Sequence, residues 1–181
     1  CFALDKLDLS SFSTQNLIKM NKMFDSCRNL KNLDLDMSKF NTNQVEDMSY
    51  LFYGCESLTS LTLKFNTNKV KNMQMMFNKC SSLQHIDVSQ FNTGEVTTME
   101  YMFSLCSSLK SINLDNFNTE KVTKMSGLFQ GCTSLTSLSL PNFKTRNVNY
   151  MQSMFLDMIA LETLDISNFD FNNVFSLDSF F

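Results

Sequence analysis

Apolar residues recur along this chain in two alternating clusters, and the pair repeats about every 26 residues. In the stretch from Cys106, the first cluster is Leu109, Ile112, Leu114 and Phe117, and the second is Val122, Met125, Leu128 and Phe129. We count columns from the cysteine as zero and, past the first cluster, from its Phe as column 11. Apolar side chains then occupy columns 3, 6, 8, 11, 16, 19, 22 and 23 in nearly every repeat. The alternation around columns 6 and 8 predicts a short strand with one buried face. Steps of three, three and one in the second cluster predict one apolar stripe along a helix of about two turns. A Thr at column 13 in six repeats (Thr14, Thr42, Thr67, Thr93, Thr119, Thr145) stands where an N-cap hydroxyl would satisfy a free backbone N–H.

The repeats are punctuated by Cys1, Cys27, Cys55, Cys80, Cys106 and Cys132, with Met158 on the same beat. A period in the twenties identifies a solenoid, whose repeats share one core and do not fold alone. The chain therefore divides into seven repeats of one domain spanning 1–181: 1–26, 27–54, 55–79, 80–105, 106–131, 132–157 and 158–181. Parallel strands stack about 4.8 Å apart, whereas helices need about 8–10 Å. That mismatch predicts a right-handed α/β arc, with parallel strands on its concave side and short helices on its convex side.

Composition narrows the function classes. A net charge of −3 without a basic run argues against an electrostatic grip on nucleic acid. No stretch reaches the length of a membrane span, so no direct membrane insertion by this segment is expected, and no signal peptide is visible. Cys1 lies in the cysteine column, followed in register by Leu4, Leu7, Leu9 and Phe12, and so reads as a mid-array residue and not as a lipid anchor. With Phe180-Phe181 at the other end, the expectation is a portion of a longer array.

The phrase F-N-T-xx-V-xx-M-xx-M-F-xx-C-xS-L, cleanest in repeats two to six, resembles the repeat of BspA-like leucine-rich repeat surface proteins of bacteria and some protists. The resemblance covers the whole chain. Repeat seven departs from it, with Met158, Phe171, Leu177 and Phe180 at otherwise regular columns. The resemblance implies a cell-surface or secreted setting and contact with host or matrix proteins or neighbouring cells.

The cysteines read as free structural thiols, each a small buried hydrophobe. A ladder spreads ligands along a line where a metal needs them to converge, and Met158 in the same column cannot form a disulfide. On the outward strand columns, Asp8, Asp34 and Asp36 cluster at the start of a mildly acidic face that lacks aromatic anchors. His85 has Ser60, Ser111 and Asp87 for neighbours, but an open sheet offers neither oxyanion hole nor enclosed pocket. No enzyme activity and no cofactor are expected.

On the other side, column 21 carries Tyr50, Met75 and Tyr101 in succession, with Tyr53 one turn beyond Tyr50. Solvent-facing aromatics in a row mark a partner surface; the competing reading is that they shield the core beneath. The only length irregularities lie nearby: two extra residues in Asp36-Met37-Ser38-Lys39, before Phe40, and one fewer before Phe65. No Asn-x-Ser/Thr sequon occurs. The sequence thus points to a non-catalytic protein-binding or adhesion module. The alternative is a structural subunit joined to other chains through its ends and its tyrosine patch.

Overall fold

The computed structural model of the chain describes residues 1–4, 7, 9, 12–31 and 40–181. Each repeat is one turn of a coil, and the core is a set of columns running down its axis. The column-23 rings Phe24, Phe52, Phe77, Phe103, Phe129 and Phe155 stack with centroids 5.3, 5.7, 5.5, 5.9 and 6.1 Å apart and planes within 9° of parallel. Around them lie the fully buried Met48, Met73, Met99, Met125 and Met151 of column 19, and the Val residues of column 16. Offset ring stacking adds about 0.5–1.5 kcal/mol per pair beyond area burial, so the column rewards regular spacing.

The predicted strands form where column 6 alternates with exposed neighbours. β1 (Ser60–Thr62) pairs in parallel with β2 (His85–Asp87), and β3 (Ser137–Ser139) with β4 (Thr163–Asp165). Among the described residues, the strand face is two separate pairs, with Ser111–Asn113 of repeat five between them outside any strand.

The predicted helices do not form. Residues at columns 21 and 25 adopt the left-handed conformation, among them Lys22, Tyr50, Met75 and Tyr101 at φ 53–60°, and Ser26, Lys79, Leu105 and Asp157 at φ 57–62°. An α-helix cannot pass through such residues, because the left-handed geometry turns the chain out of the i→i−4 register. The segment instead becomes a run of overlapping tight turns, as in Met23 N–H to Met20 C=O (3.3 Å), Asp25 to Lys22 (3.2 Å) and Cys27 to Phe24 (3.2 Å). The alternate N–H groups reach across to the next coil: Met20 donates to Asp47, Lys22 to Ser49, Phe24 to Leu51 and Ser26 to Tyr53, all within 3.0 Å. Apolar spacing of three, three and one fits this turn ribbon as well as it fits a helix stripe. A parallel bridge at column 18 links every neighbouring pair of coils, from Lys19–Asp47 through to Tyr150–Ser176. The turn face is therefore stitched at hydrogen-bonding distance throughout, as the strand face is at β1–β2 and β3–β4, and no helix spacing separates its coils.

The column-13 threonines do not cap helices either. Each hydroxyl works between coils: Thr93 donates to the Asn118 carbonyl (2.8 Å) and accepts from the Asn118 N–H (2.8 Å). Thr42 does the same with Asn66, Thr67 with Asn92, Thr119 with Lys144 and Thr145 with Asp170. The preceding Asn closes its own turn, as Asn92 Oδ1 does by accepting from Gly94 N–H at 3.0 Å. The Asn-Thr pair of the repeat phrase is thus a latch between successive coils.

Candidate functional site

The left-handed residues of column 21 place the tyrosines. Tyr50 and Tyr53 come together, ring centroids 5.7 Å apart and planes tilted by 49°. The Lys22 ammonium stands 5.2 Å from the Tyr50 centroid, and the Lys79 ammonium 5.2 Å from that of Tyr53. Both rings are half-buried, as are Met75 and Tyr101, so the four form a partly open surface. Tyr101 packs against the neighbouring coil. Its ring lies over the next coil at Gly127, where an added Cβ would come within 2.2 Å of two ring atoms.

The arrangement offers two tilted aromatic rings, each with a lysine ammonium over one face, on a backbone fixed by the continuous ladder beneath. Lysine over an aromatic face contributes about 0.5–1 kcal/mol at an exposed site, enough to bias the attitude of each ring a few-fold. Sequence reading found the tyrosines but missed the flanking lysines and the left-handed backbone. A signal was present: Gly54, Gly127 and Gly131, three of the chain's four glycines, fall in columns 21 and 25.

The acidic cluster of Asp8, Asp34 and Asp36 lies outside the described residues. Of the strand-face carboxylates that are described, Asp87 accepts from the Ser89 N–H and Asp165 from the Ser167 N–H, each at 2.9 Å. Those serines hold both carboxyls below the ordinary Asp value. His85 is exposed, opposite Ser60 in the parallel register. Among the described residues no hydrogen bond joins it to Ser60 or Asp87, whose carboxylate faces its own turn. Beside this row, where repeat three is one residue short, an open depression of about 500 Å³ is lined by Thr62, Lys64, Asn66, Asp87 and Gln90 among others.

The thiols have a structural job. Cys27, Cys55, Cys80, Cys106 and Cys132 are free and buried, and Cys1 is free and exposed. Cys55, Cys80, Cys106 and Cys132 donate to the carbonyls of Phe24, Phe52, Phe77 and Phe103 at 3.1–3.2 Å. Burial pushes the Cys55 and Cys132 thiols up to about 12, and those of Cys80 and Cys106 well above the ordinary value. Among the described residues no group of three or more His, Cys, Asp or Glu is placed to hold a metal. No described helix is long and apolar enough to cross a membrane.

Solved structures share the coil. A leucine-rich repeat protein of T. pallidum (TpLRR) superposes with a TM-score of 0.53 at 23% identity, over 80% of this chain and 71% of that one. A leucine-rich repeat protein from Bacteroides ovatus gives 0.50 at 22% identity, over 89% and 43%. One from Eubacterium ventriosum gives 0.54 at 19%, over 84% and 43%. The chain thus spans less than half the length of the last two. No curated protein matches the sequence. The resemblance read from the repeat phrase holds at the level of fold: this is a leucine-rich-repeat-type solenoid, with turns in place of convex helices. The family profile described as "Mycoplasma protein of unknown function, DUF285" matches residues 2–37, 28–113 and 106–181, and the chain belongs to that family.

Proposed function

We propose that this chain is a non-catalytic protein-binding module of a cell-surface or secreted repeat protein, and that its partner contacts the surface of Tyr50, Tyr53, Met75 and Tyr101. The observation that carries the reading is the Tyr50–Tyr53 pair, tilted and flanked by Lys22 and Lys79 on a backbone already fixed. Aromatic side chains with few free torsions dominate protein interfaces, because they bury much area for little lost entropy. The surface setting rests on the resemblance to repeat surface proteins. The strand-face carboxylates, with Asp8, Asp34 and Asp36, supply a second, acidic contact for a basic partner.

Binding of labelled chain to immobilised matrix proteins and to host cells tests the reading. Tyr50→Asp and Tyr101→Asp suit the test, because Asp tolerates a left-handed backbone better than most residues. We expect each to weaken binding by about tenfold or more, the scale of an interface anchor. Binding that survives both changes would exclude the tyrosine surface. Turnover of any substrate that His85→Ala abolishes would exclude the non-catalytic reading.

A further inference from the structure

The depression beside the strand row has a cause in the sequence. At the corner after the strand, the described repeats of full length fold alike. The N–H of the column-11 Phe closes a turn onto the column-8 carbonyl, as Phe91 does on Val88 (2.9 Å), Phe117 on Leu114 (2.9 Å) and Phe143 on Leu140 (3.3 Å). From repeat five onward, the column-10 Asn of the following coil braces that corner from outside. Asn116 Nδ2 donates to the Val88 and Phe91 carbonyls at 3.0 and 2.7 Å. Asn142 reaches the Asp115 carbonyl at 2.6 Å, and Asn168 those of Leu140 and Phe143 at 3.2 Å each.

Repeat three has neither device. One residue short, it brings Phe65 two positions after Leu63 instead of three, and no turn bond joins the two. The brace is missing as well. The column-10 residue of the next coil is Gln90, exposed and without a hydrogen bond to the Leu63 or Phe65 carbonyl among the described residues. The Leu63 carbonyl thus lacks both donors that serve Val88 and Leu140, and the Phe65 N–H lacks the acceptor that serves Phe91. The depression of about 500 Å³ opens there, against about 320 Å³ at the corresponding corner of Asp115, Asn116 and Asn142.

A carbonyl and an N–H that lack their usual partners, two residues apart, are together the complement of one secondary amide. The buried side chains of Leu63 and Phe65 give that corner an apolar floor, suited to a methyl group on such an amide. The rim is polar in both senses. Thr62, Lys64, Asp87 and Gln90 are exposed and offer a hydroxyl, an ammonium, a carboxylate and an amide. A mixed set of this kind suits a ligand whose groups each donate and accept, as sugar hydroxyls do. A simple ion would call for groups of one sign, and an apolar ligand for an apolar wall.

We propose that this depression binds an N-acetylated amino sugar. The acetamido N–H donates to the Leu63 carbonyl, its carbonyl accepts from the Phe65 N–H, its methyl meets the apolar floor, and the ring hydroxyls meet the rim. The site does not rest on the tyrosine surface, which is built from other columns.

Saturation-transfer NMR of the 181-residue chain with N,N′-diacetylchitobiose tests it. The acetyl methyl protons should receive the strongest saturation, because they lie deepest. On titration into the wild-type chain, the backbone amide signals of Phe65 and Gln90 should shift, a reading that needs no variant to fold. Cellobiose carries hydroxyls in place of both acetamido groups. It should bind at least about tenfold more weakly, because it leaves the carbonyl and the N–H unpaired. An Asn inserted between Lys64 and Phe65 restores the length of the other corners and should abolish binding. Tyr50→Asp should leave binding unchanged. The proposal is overturned if the disaccharide shifts neither signal, if cellobiose binds equally, or if a folded insertion variant binds as the wild type does. It is overturned as well if N-acetylglycine methylamide, an amide without a sugar, binds as tightly as the disaccharide, or if Tyr50→Asp abolishes binding.

Discussion

The strand face and the turn face of this coil differ in the opposite sense from what their sequences suggest. The strand face has the recognisable L-xx-L-x-L pattern, yet its pairing is confined to β1–β2 and β3–β4 among the described residues. The turn face has spacing that resembles a helix, yet it carries an unbroken parallel ladder through all seven repeats. The difference lies in how each face uses its backbone. Strands spend consecutive residues on pairing, so only three per repeat take part. The turn ribbon alternates, one N–H closing a turn within its coil and the next crossing to the neighbour. Left-handed residues make this alternation possible, and they commit the face to coil-to-coil contact that a helix, with its internal bonds, would forgo.

The sharpest way to break the turn face is through the ring column beneath it. Phe77→Ala removes a fully buried ring stacked between Phe52 and Phe103, and should cost about 3–5 kcal/mol in chemical denaturation. Ser111→Ala on the strand face, exposed and outside any strand, should change stability by less than about 0.5 kcal/mol. If the two cost the same, the stability of the coil does not reside where the stacking places it.

Next in size is the latch. Thr93→Val keeps the shape but removes both hydrogen bonds to the Asn118 backbone, and should cost about 1–3 kcal/mol for the two together. Had Thr93 been a helix cap, the loss would be about 1 kcal/mol. A double-mutant cycle of Thr93 with its neighbour Thr119, whose hydroxyl serves the following seam, measures whether adjacent latches add.

The left-handed columns permit a paired prediction of opposite sign. Gly127→Ala imposes a left-handed alanine and drives the Tyr101 ring off its seat, and should destabilise by about 1–2 kcal/mol or more. Asp157→Gly, at an exposed left-handed site, should stabilise by up to about 1 kcal/mol. Thermal unfolding of both variants would show the two shifts directly. A helical turn face would give the reverse, since glycine weakens helices and alanine strengthens them.

The smallest effect at neutral pH belongs to the cysteines. The folded pKa values of Cys55, Cys80, Cys106 and Cys132 are raised, so the fold holds their protonated thiols more tightly than the unfolded chain does. Their contribution is complete below the ordinary value of 9.0 and is lost as pH rises from there toward about 12. Stability should therefore be flat with respect to these groups near neutrality and fall on the alkaline side. Native-state alkylation should find only the exposed Cys1 readily reactive.

Much of this was legible in the sequence because burial is a statement about side chains. The columns that hold Leu109, Val122, Met125 and Phe129 are those that the spacing marks, and Cys106 lies where a small hydrophobe was expected. What the spacing left open was the backbone. Val122, Met125, Leu128 and Phe129 face one way on a helix and on a turn ribbon alike. Only Gly127, among them, and Gly131, two residues past Phe129, distinguish the two, through the positive φ they adopt without strain. Thr119 misled for a related reason: a hydroxyl before an apolar run suits a cap, and the carbonyl it does reach belongs to a coil 25 residues away. The lysines beside Tyr50 and Tyr53 come from repeats one and three, a contact that exists only once the coils are stacked.

The bridges Lys19–Asp47 and Asp47–Asn72 stay in line although one repeat has two residues more than its neighbours and the next has one fewer. Residue count and the register of the turn face are thus uncoupled; the surplus run Asp36-Met37-Ser38-Lys39 itself lies outside the described residues. A surplus of two residues and a deficit of one both leave the bridges paired, so the aromatic surface keeps its register. A chain built this way can change the reach of one edge by adding or losing a few residues, in a single genetic step, while the geometry of the opposite side is inherited intact.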